Sequence, residues 1–185
     1  MKLLHIDSSA LGQHSVSREL TADIVAEVKR TRPDASVRYR DLAAQPLPHW
    51  APVADASDQG ALLGNEVMDE FLAADVIVLG APMYNFGMPI QLKAWFDAIA
   101  RAGVTFRYTE NGPEGLLKNK KVYVATARGG IYPADADPQV PHIRMLLNFL
   151  GLTDHQFIYS AGLAMGPEAA AKGQAEADAA VAALA

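Results

Sequence analysis

A chain of 185 residues, 50% hydrophobic and 20% charged, has length for a core of its own and is too apolar to be disordered. A net charge of −5 with no basic run excludes electrostatic capture of nucleic acid or an anionic membrane surface. The absence of cysteine excludes disulfides and thiol catalysis. One domain spanning residues 1–185 is the expectation.

"LLHID" (Leu3 to Asp7) reads as a first strand. The N-terminus, "MKLLHIDSS", enters it after one lysine, with no apolar signal-peptide region and no small-residue cleavage site. No apolar run approaches the roughly 20 residues of a membrane helix. These features predict a cytoplasmic protein without a membrane partner. A helix is predicted from about Ser17 to Arg32, with Leu20, Ile24, Val25 and Val28 on one stripe and Pro33 just beyond its end. "SVRYRDL" (Ser36 to Leu42) alternates like a half-exposed edge strand. After the Pro-rich "QPLPHWAP", a second helix is predicted from about Ala61 to Ala74.

"DVIVLGA" is an unbroken apolar run, the pattern of a strand buried on both faces. A third helix runs from about Pro89 to Ala102, with Pro89 in its first turn. "KVYVATA" (Lys121 to Ala127) is the fourth strand. A helix from about Pro138 to Leu150 closes at Gly151, a fifth strand follows at "HQFIYSA", and the Ala-rich tail from Pro167 to Ala185 forms the last helix. Val104 to Lys120 breaks the alternation and reads as an extended arm or irregular hairpin. Strand–helix alternation of this kind predicts an α/β fold, a flavodoxin-like open five-stranded parallel sheet of order 2-1-3-4-5 with helices on both faces.

Ligands of such sheets bind beyond the carboxyl ends of the strands, and three loops there are unusual. The first, "DSSALGQHSVSREL", sets Ser8, Ser9, Ser15 and Ser17 before a helix start. Hydroxyls, free backbone N–H groups and the positive end of the helix dipole make an anion site, although Ser15 or Ser17 alone would read as a helix cap. With no P-loop lysine and no G-x-G-x-x-G in the chain, a monophosphate fits better than a triphosphate or a dinucleotide. The second loop, "APMYNFGMP", carries Met83, Tyr84, Asn85 and Phe86: apolar surface for the face of a planar ligand and an amide for its edge. Any one of these side chains alone would read as stray core. The third, "TARGGIYP", has Gly129-Gly130, where the backbone can approach a ligand closely or simply turn. A phosphate site beside two loops suited to a flat ring is what flavin mononucleotide (FMN) requires.

Other chemistries find no support. The five histidines (5, 14, 49, 142 and 155) lack metal-ligand spacing, and no G-x-S-x-G elbow occurs. Asp7 would suit a response-regulator pocket only with a second Asp ending the third strand, where Gly80-Ala81 stand instead.

The chain resembles the FMN-dependent NADH azoreductases, also described as FMN-dependent NADH:quinone oxidoreductases, of the flavodoxin-like superfamily. The resemblance rests on the Ser-Ser and Ser-Val-Ser pieces, "RDLAAQPLP", "APMYNF", "QLKAWFDAIARAGVTFRYTENGPEGL", "RGGI", "FLGLTD" and "GPEAAAK", in order over nearly the whole length. It implies phosphate contacts at Ser9 and the Ser15, Val16, Ser17 turn. Ring contacts would come from Met83, Tyr84, Asn85 and Phe86 and from Arg128, Gly129 and Gly130. It further implies a homodimer with its active site at the interface, where Tyr108 and Phe157 help line the substrate pocket. NADH or NADPH would donate a hydride, and a quinone or azo compound would accept two electrons in ping-pong order; the flavin carries the chemistry and no catalytic side chain is assigned. Three departures bear on the substrate pocket: Ala127 where Ser or Thr is usual, "GMP" at Gly87 to Pro89, and a short "HWAPVADASDQG". The rival reading is a flavodoxin-type single-electron carrier, which would rely on stronger surface charge than −5.

Overall fold

The computed structural model describes residues 1–51 and 57–184. The five residues 52–56 of the short "HWAPVADASDQG" stretch, and Ala185 of the predicted last helix, lie outside the described residues. Strands β1 (Lys2–Asp7), β2 (Ser36–Asp41), β3 (Val76–Gly80), β4 (Phe106–Thr109), β5 (Gly112–Gly115), β6 (Lys121–Ala127) and β7 (His155–Ser160) are joined with helices α1 (Val16–Thr31), α2 (Gln59–Ala73), α3 (Ile90–Ile99), α4 (Val140–Phe149) and α5 (Pro167–Ala182). The main sheet has the order β2-β1-β3-β6-β7, all parallel. With β4 and β5 set aside as a separate hairpin, this is the expected 2-1-3-4-5 arrangement.

Period-two alternation sends side chains of the central strands to two cores. Leu4, Ile6, Ile77, Leu79, Val122 and Val124 face Val67 and Phe71 of α2, Trp95 and Phe96 of α3, and Ile143 and Leu147 of α4. Leu3, Val76, Val78, Tyr123 and Ala125 face Leu20 and Ile24 of α1 and Ala177 and Val181 of α5. Burial on both faces explains why β3 is apolar without a break. Among the described residues, no helix is long and apolar enough to cross a membrane.

Several boundaries differ from expectation for identifiable reasons. The second helix starts at Gln59, because the Asp58 carboxylate accepts from the N–H groups of Gly60 and Ala61. Pro89 is the residue before α3 rather than part of its first turn. That helix stops at Ile99, where the Thr105 hydroxyl donates to Ile99 O at 2.6 Å and accepts from Arg101 N–H at 2.9 Å. Edge strand β2 is not half-buried by alternation. Val37 and Tyr39 are exposed, whereas the Arg40 guanidinium is buried against Glu70 at 2.6 Å and Glu66 at 2.5 Å.

The irregular segment proves to be a regular hairpin, with Thr109 opposite Gly112. It is rooted where α4 ends and β7 begins: Leu117 N–H donates to Leu150 O, and a Cβ on Gly115 would lie 2.1 Å from Gly151 N. Only glycine permits that approach, and Gly151, at φ 91°, needs the left-handed region as well.

Candidate functional site

The loops after β1, β3 and β6 meet at the carboxyl edge of the sheet, held together by specific bonds. Ser8 Oγ donates to Gly80 O at 2.6 Å, and Ser9 Oγ lies 2.9 Å from the Tyr84 hydroxyl. Ala10 N–H donates to the same hydroxyl at 3.2 Å. Met83 N–H donates to Ala127 O at 2.8 Å, joining the second loop to the third. The Phe86 ring packs edge-on against Tyr132, with centroids 6.4 Å apart.

Ser15 is the residue before α1, and its hydroxyl accepts from Arg18 N–H at 3.3 Å while lying 3.0 Å from Ser17 Oγ. Ser9, Ser15 and Ser17 are buried. Ser15 is therefore a helix cap, yet the N–H groups of Val16 and Ser17 find no acceptor among the described residues. Capping and anion binding are compatible here, because the hydroxyl satisfies one N–H group and leaves two at the positive end of the helix dipole.

Behind this loop lies a charged network. Arg18 forks onto Asp41 with bonds of 2.7 and 2.8 Å and also donates to Ser9 O at 2.8 Å. Asp7, buried, accepts from Thr21 Oγ1 at 2.8 Å and from Tyr39 at 3.0 Å. Burial and then the Asp7 carboxylate push the Tyr39 phenol up to about 12. Against the upward push of burial, the Arg18 guanidinium and the N–H groups of Ala44 and Ala43 hold Asp41 below the usual carboxylate value. Asp41 thus balances the charge, and of the guanidinium's two further bonds one reaches the Tyr39 hydroxyl at 3.0 Å and the other fixes the carbonyl of a loop serine.

In the second loop, Tyr84 and Gly87 exchange both backbone hydrogen bonds, at 2.9 and 3.1 Å. The two residues between them, Asn85 and Phe86, have φ values of 49° and 69°. Both central residues of this tight turn are left-handed, a conformation that glycine and asparagine adopt readily and phenylalanine does not. The turn pushes the Phe86 ring outward, 65% exposed, with the Asn85 amide beside it making no hydrogen bond among the described residues.

The third loop divides its work between backbone and side chain. The carbonyls of Arg128, Gly129 and Gly130 accept from Leu163, Ala164 and Gly162. The N–H groups of Gly129 and Gly130 find no acceptor among the described residues, and Gly129 is exposed. The Arg128 side chain instead turns inward, donating to Asp137 and lying over the rings of Tyr159 and Tyr132 at 5.2 and 5.8 Å. Burial pushes the Asp137 carboxyl up, but the Val140 amide, the Arg128 guanidinium and the Gln139 amide outweigh it and hold the group below its ordinary value.

Tyr108 and Phe157 do not join the three loops within the chain. Tyr108 is 74% exposed on the hairpin and touches the Phe106 ring. Phe157 sits mid-strand in β7 between His155 and Tyr159, with Arg144 over its ring at 5.3 Å. Gln139, Asp137, Tyr132 and Asp41 belong to the site's framework and were not singled out from the sequence. Asp137 carried a usable signal as an Asp shortly before a helix; Gln139 carried none.

The donor set suits the expected ligand. Two unpaired N–H groups at a helix start fit a phosphate; two more on a glycine pair, a free amide and an outward ring fit the edge and face of a heterocycle. Fold and site together define an open α/β domain that takes its ligand at the carboxyl edge of the sheet. A family model described as "Flavodoxin-like fold" matches residues 1–184. An FMN-dependent NADH:quinone oxidoreductase from Rhizobium meliloti (strain 1021) is 53% identical over 184 residues, covering 91% of this chain and 89% of that protein. One from Azospirillum brasilense is 48% identical, covering 100% and 98%. Among solved structures, an azoreductase from Bacillus anthracis str. Sterne superposes with a TM-score of 0.86 at 26% identity over the full length of both chains. The FMN-dependent NADH-azoreductase from Bacillus anthracis str. Ames Ancestor, in complex with FMN, shares the fold with a TM-score of 0.83 at 24% identity, covering 98% of each chain. The chain belongs to the FMN-dependent NADH:quinone oxidoreductase and azoreductase family of the flavodoxin-like fold.

Proposed function

We propose that residues 1–185 form one FMN-binding domain that reduces quinones and azo compounds at the expense of NADH or NADPH. The observation that carries this reading is the convergence of three loops, two of which leave N–H groups, at Val16 and Ser17 and at Gly129 and Gly130, without an acceptor among the described residues. When bound, FMN supplies two-electron chemistry, accepting a hydride from the nicotinamide and passing it to the acceptor in ping-pong order.

The chain's own residues hold and orient the cofactor. Ser9, Ser15, Val16 and Ser17 receive the phosphate, and Met83, Tyr84, Asn85 and Phe86 form one wall for the ring. Gly129 and Gly130 offer N–H groups to its polar edge, which favours negative charge there. Arg128 contributes through its backbone, its guanidinium being committed to Asp137. Hydride transfer needs no side chain of the protein to react.

The active unit in this reading is a homodimer whose active site lies at the interface. Tyr108 sits 74% exposed on a hairpin rooted against Leu150 and Gly151, and the aromatic row His155, Phe157, Tyr159 runs along edge strand β7. A second copy would cover this surface and bring Tyr108 to a substrate pocket lined by Phe157. Nothing favours the single-electron carrier: the relatives bear enzyme names, and the charge is a modest −5.

The test is spectroscopic. The purified protein, reconstituted with FMN, should be yellow, bleach with NADH under anaerobic conditions and regain colour with benzoquinone. Failure to take up FMN sinks the reading, and a flavin that neither NADH nor NADPH bleaches reinstates the carrier. A monomer by light scattering, with full activity, removes the interface site.

A further inference from the structure

Gln139, just before α4, is 1% exposed. Its Nε2 donates to two backbone carbonyls at once, Ala81 at 3.2 Å and Pro82 at 3.0 Å. Those are the residues that lead from β3 into the Met83–Phe86 turn. Its Oε1 is buried without a partner among the described residues. A buried acceptor left unsatisfied is unfavourable, and native structures keep few of them. A leucine here would match the amide in size and leave no such atom. The amide must therefore do something that apolar packing would not, and among the described residues its polar contacts are the two carbonyls.

The side chain is aimed from behind. The Asp137 carboxylate accepts from the N–H groups of Gln139 at 2.9 Å and Val140 at 2.8 Å, and it pairs with Arg128. One continuous set of bonds thus runs from the loop after β6, through Asp137, to Gln139 and the loop after β3. We propose that Gln139 is a positioning residue for the cofactor. By fixing the Ala81 and Pro82 carbonyls it holds the strained Asn85-Phe86 turn in register with the Gly129-Gly130 turn, so that both walls of the ring site are set before FMN arrives. This rests on the flavin reading above and adds a residue that touches neither cofactor nor substrate.

The test compares Gln139→Leu with Gln139→Glu in the full chain, stripped of flavin and titrated with FMN at pH 8 by fluorescence quenching. Circular dichroism confirms the fold in parallel. Leu removes the donor, and the dissociation constant should rise about tenfold. Glu is nearly isosteric with the native side chain but, ionised, sets an oxygen against two carbonyl oxygens, so binding should weaken further. A residue that served only to fill space would tolerate Leu, which matches the amide in size, so a folded Leu variant within about twofold of the wild type overturns the proposal whatever Glu does. Glu binding FMN as well as or better than Leu overturns the proposal, as do two folded variants within about twofold of the wild type. If Leu does not fold, Glu decides alone against the wild type. A wild-type protein that fails to bind FMN removes the flavin reading itself, a different result from normal wild-type binding with indifferent variants.

Discussion

The Tyr84 hydroxyl lies 2.9 Å from Ser9 Oγ, joining residues 75 positions apart in the chain. Through this one contact, the loop expected to hold the phosphate and the loop expected to hold the ring become a single surface. The hydroxyl also accepts from Ala10 N–H at 3.2 Å. Tyr84 thus serves as a strut between the two loops as much as a wall of the site.

Replacing Tyr84 by Phe keeps the ring and removes the strut. A neutral hydrogen bond of this kind contributes about 1 kcal/mol net, so FMN should bind about three- to tenfold more weakly. Fluorescence titration checks this, and a folded variant with unchanged affinity would show that the two loops are positioned independently.

Phe86 stands at φ 69° with a ring 65% exposed. Holding a bulky residue there costs on the order of 1–3 kcal/mol, while the exposed ring returns little by burial. Phe86→Gly should therefore melt no lower than the wild type yet bind FMN less tightly. Calorimetry on the flavin-free protein and a flavin titration separate the two effects. A clear drop in melting temperature would show that the ring supports the fold.

The Arg128–Asp137 pair is buried, with side-chain exposures of 2% and 7%. Asp137→Asn leaves a cation without its partner and should destabilise the protein by about 3–5 kcal/mol in urea denaturation at pH 7. The carboxylate's pKa is lowered from 3.8 on folding, so its contribution is complete above that value and fades as pH falls below it. The difference between wild type and variant should accordingly shrink in acid, below about pH 4.

Asp23 on α1 behaves in the opposite sense. Burial, and then the like charge of Asp178 on α5, raise its pKa from 3.8. The folded state holds the proton more tightly than the unfolded chain, so stability falls as pH climbs through that window, and the ionised form is unfavourable at neutrality. Asp23→Asn should raise the melting temperature by about 1–3 °C at pH 7, a small figure because solvent screens the site. No gain should remain at pH 3. Equal melting temperatures at both pH values would rule out the Asp178 repulsion.

Much of this fold could be read along the chain because its signals are local. Short, nearly continuous apolar runs at Leu3 to Asp7 and Lys121 to Ala127 mark strands, and the stripe of Leu20, Ile24 and Val28 marks a helix face. Elements were displaced where a side chain outside the periodic run decides the end, as Asp58 does for α2 and Thr105 for α3. The hairpin was obscured because Gly115 and Gly151, which let it dock, lie far apart in sequence and carry no apolar pattern.

Residue order alone marks which residues can serve the site: serines before a helix, an aromatic loop after an apolar strand, a glycine pair after another. Residue type and local spacing are enough to create free N–H groups and outward apolar surface. How those loops are tied together depends on the packing of the folded chain. Parallel register along β1, β3 and β6 places Ser9 beside Tyr84 and Met83 beside Ala127, and it lets α4 deliver Gln139 to Ala81 and Pro82. It also turned the Arg128 guanidinium away from the ligand side, because a buried carboxylate at Asp137 offers that charge a far better partner than exposed solvent-facing groups do. Hydrogen bonds reach about 3 Å, and no spacing in the chain specifies a distance that small between residues so far apart in sequence.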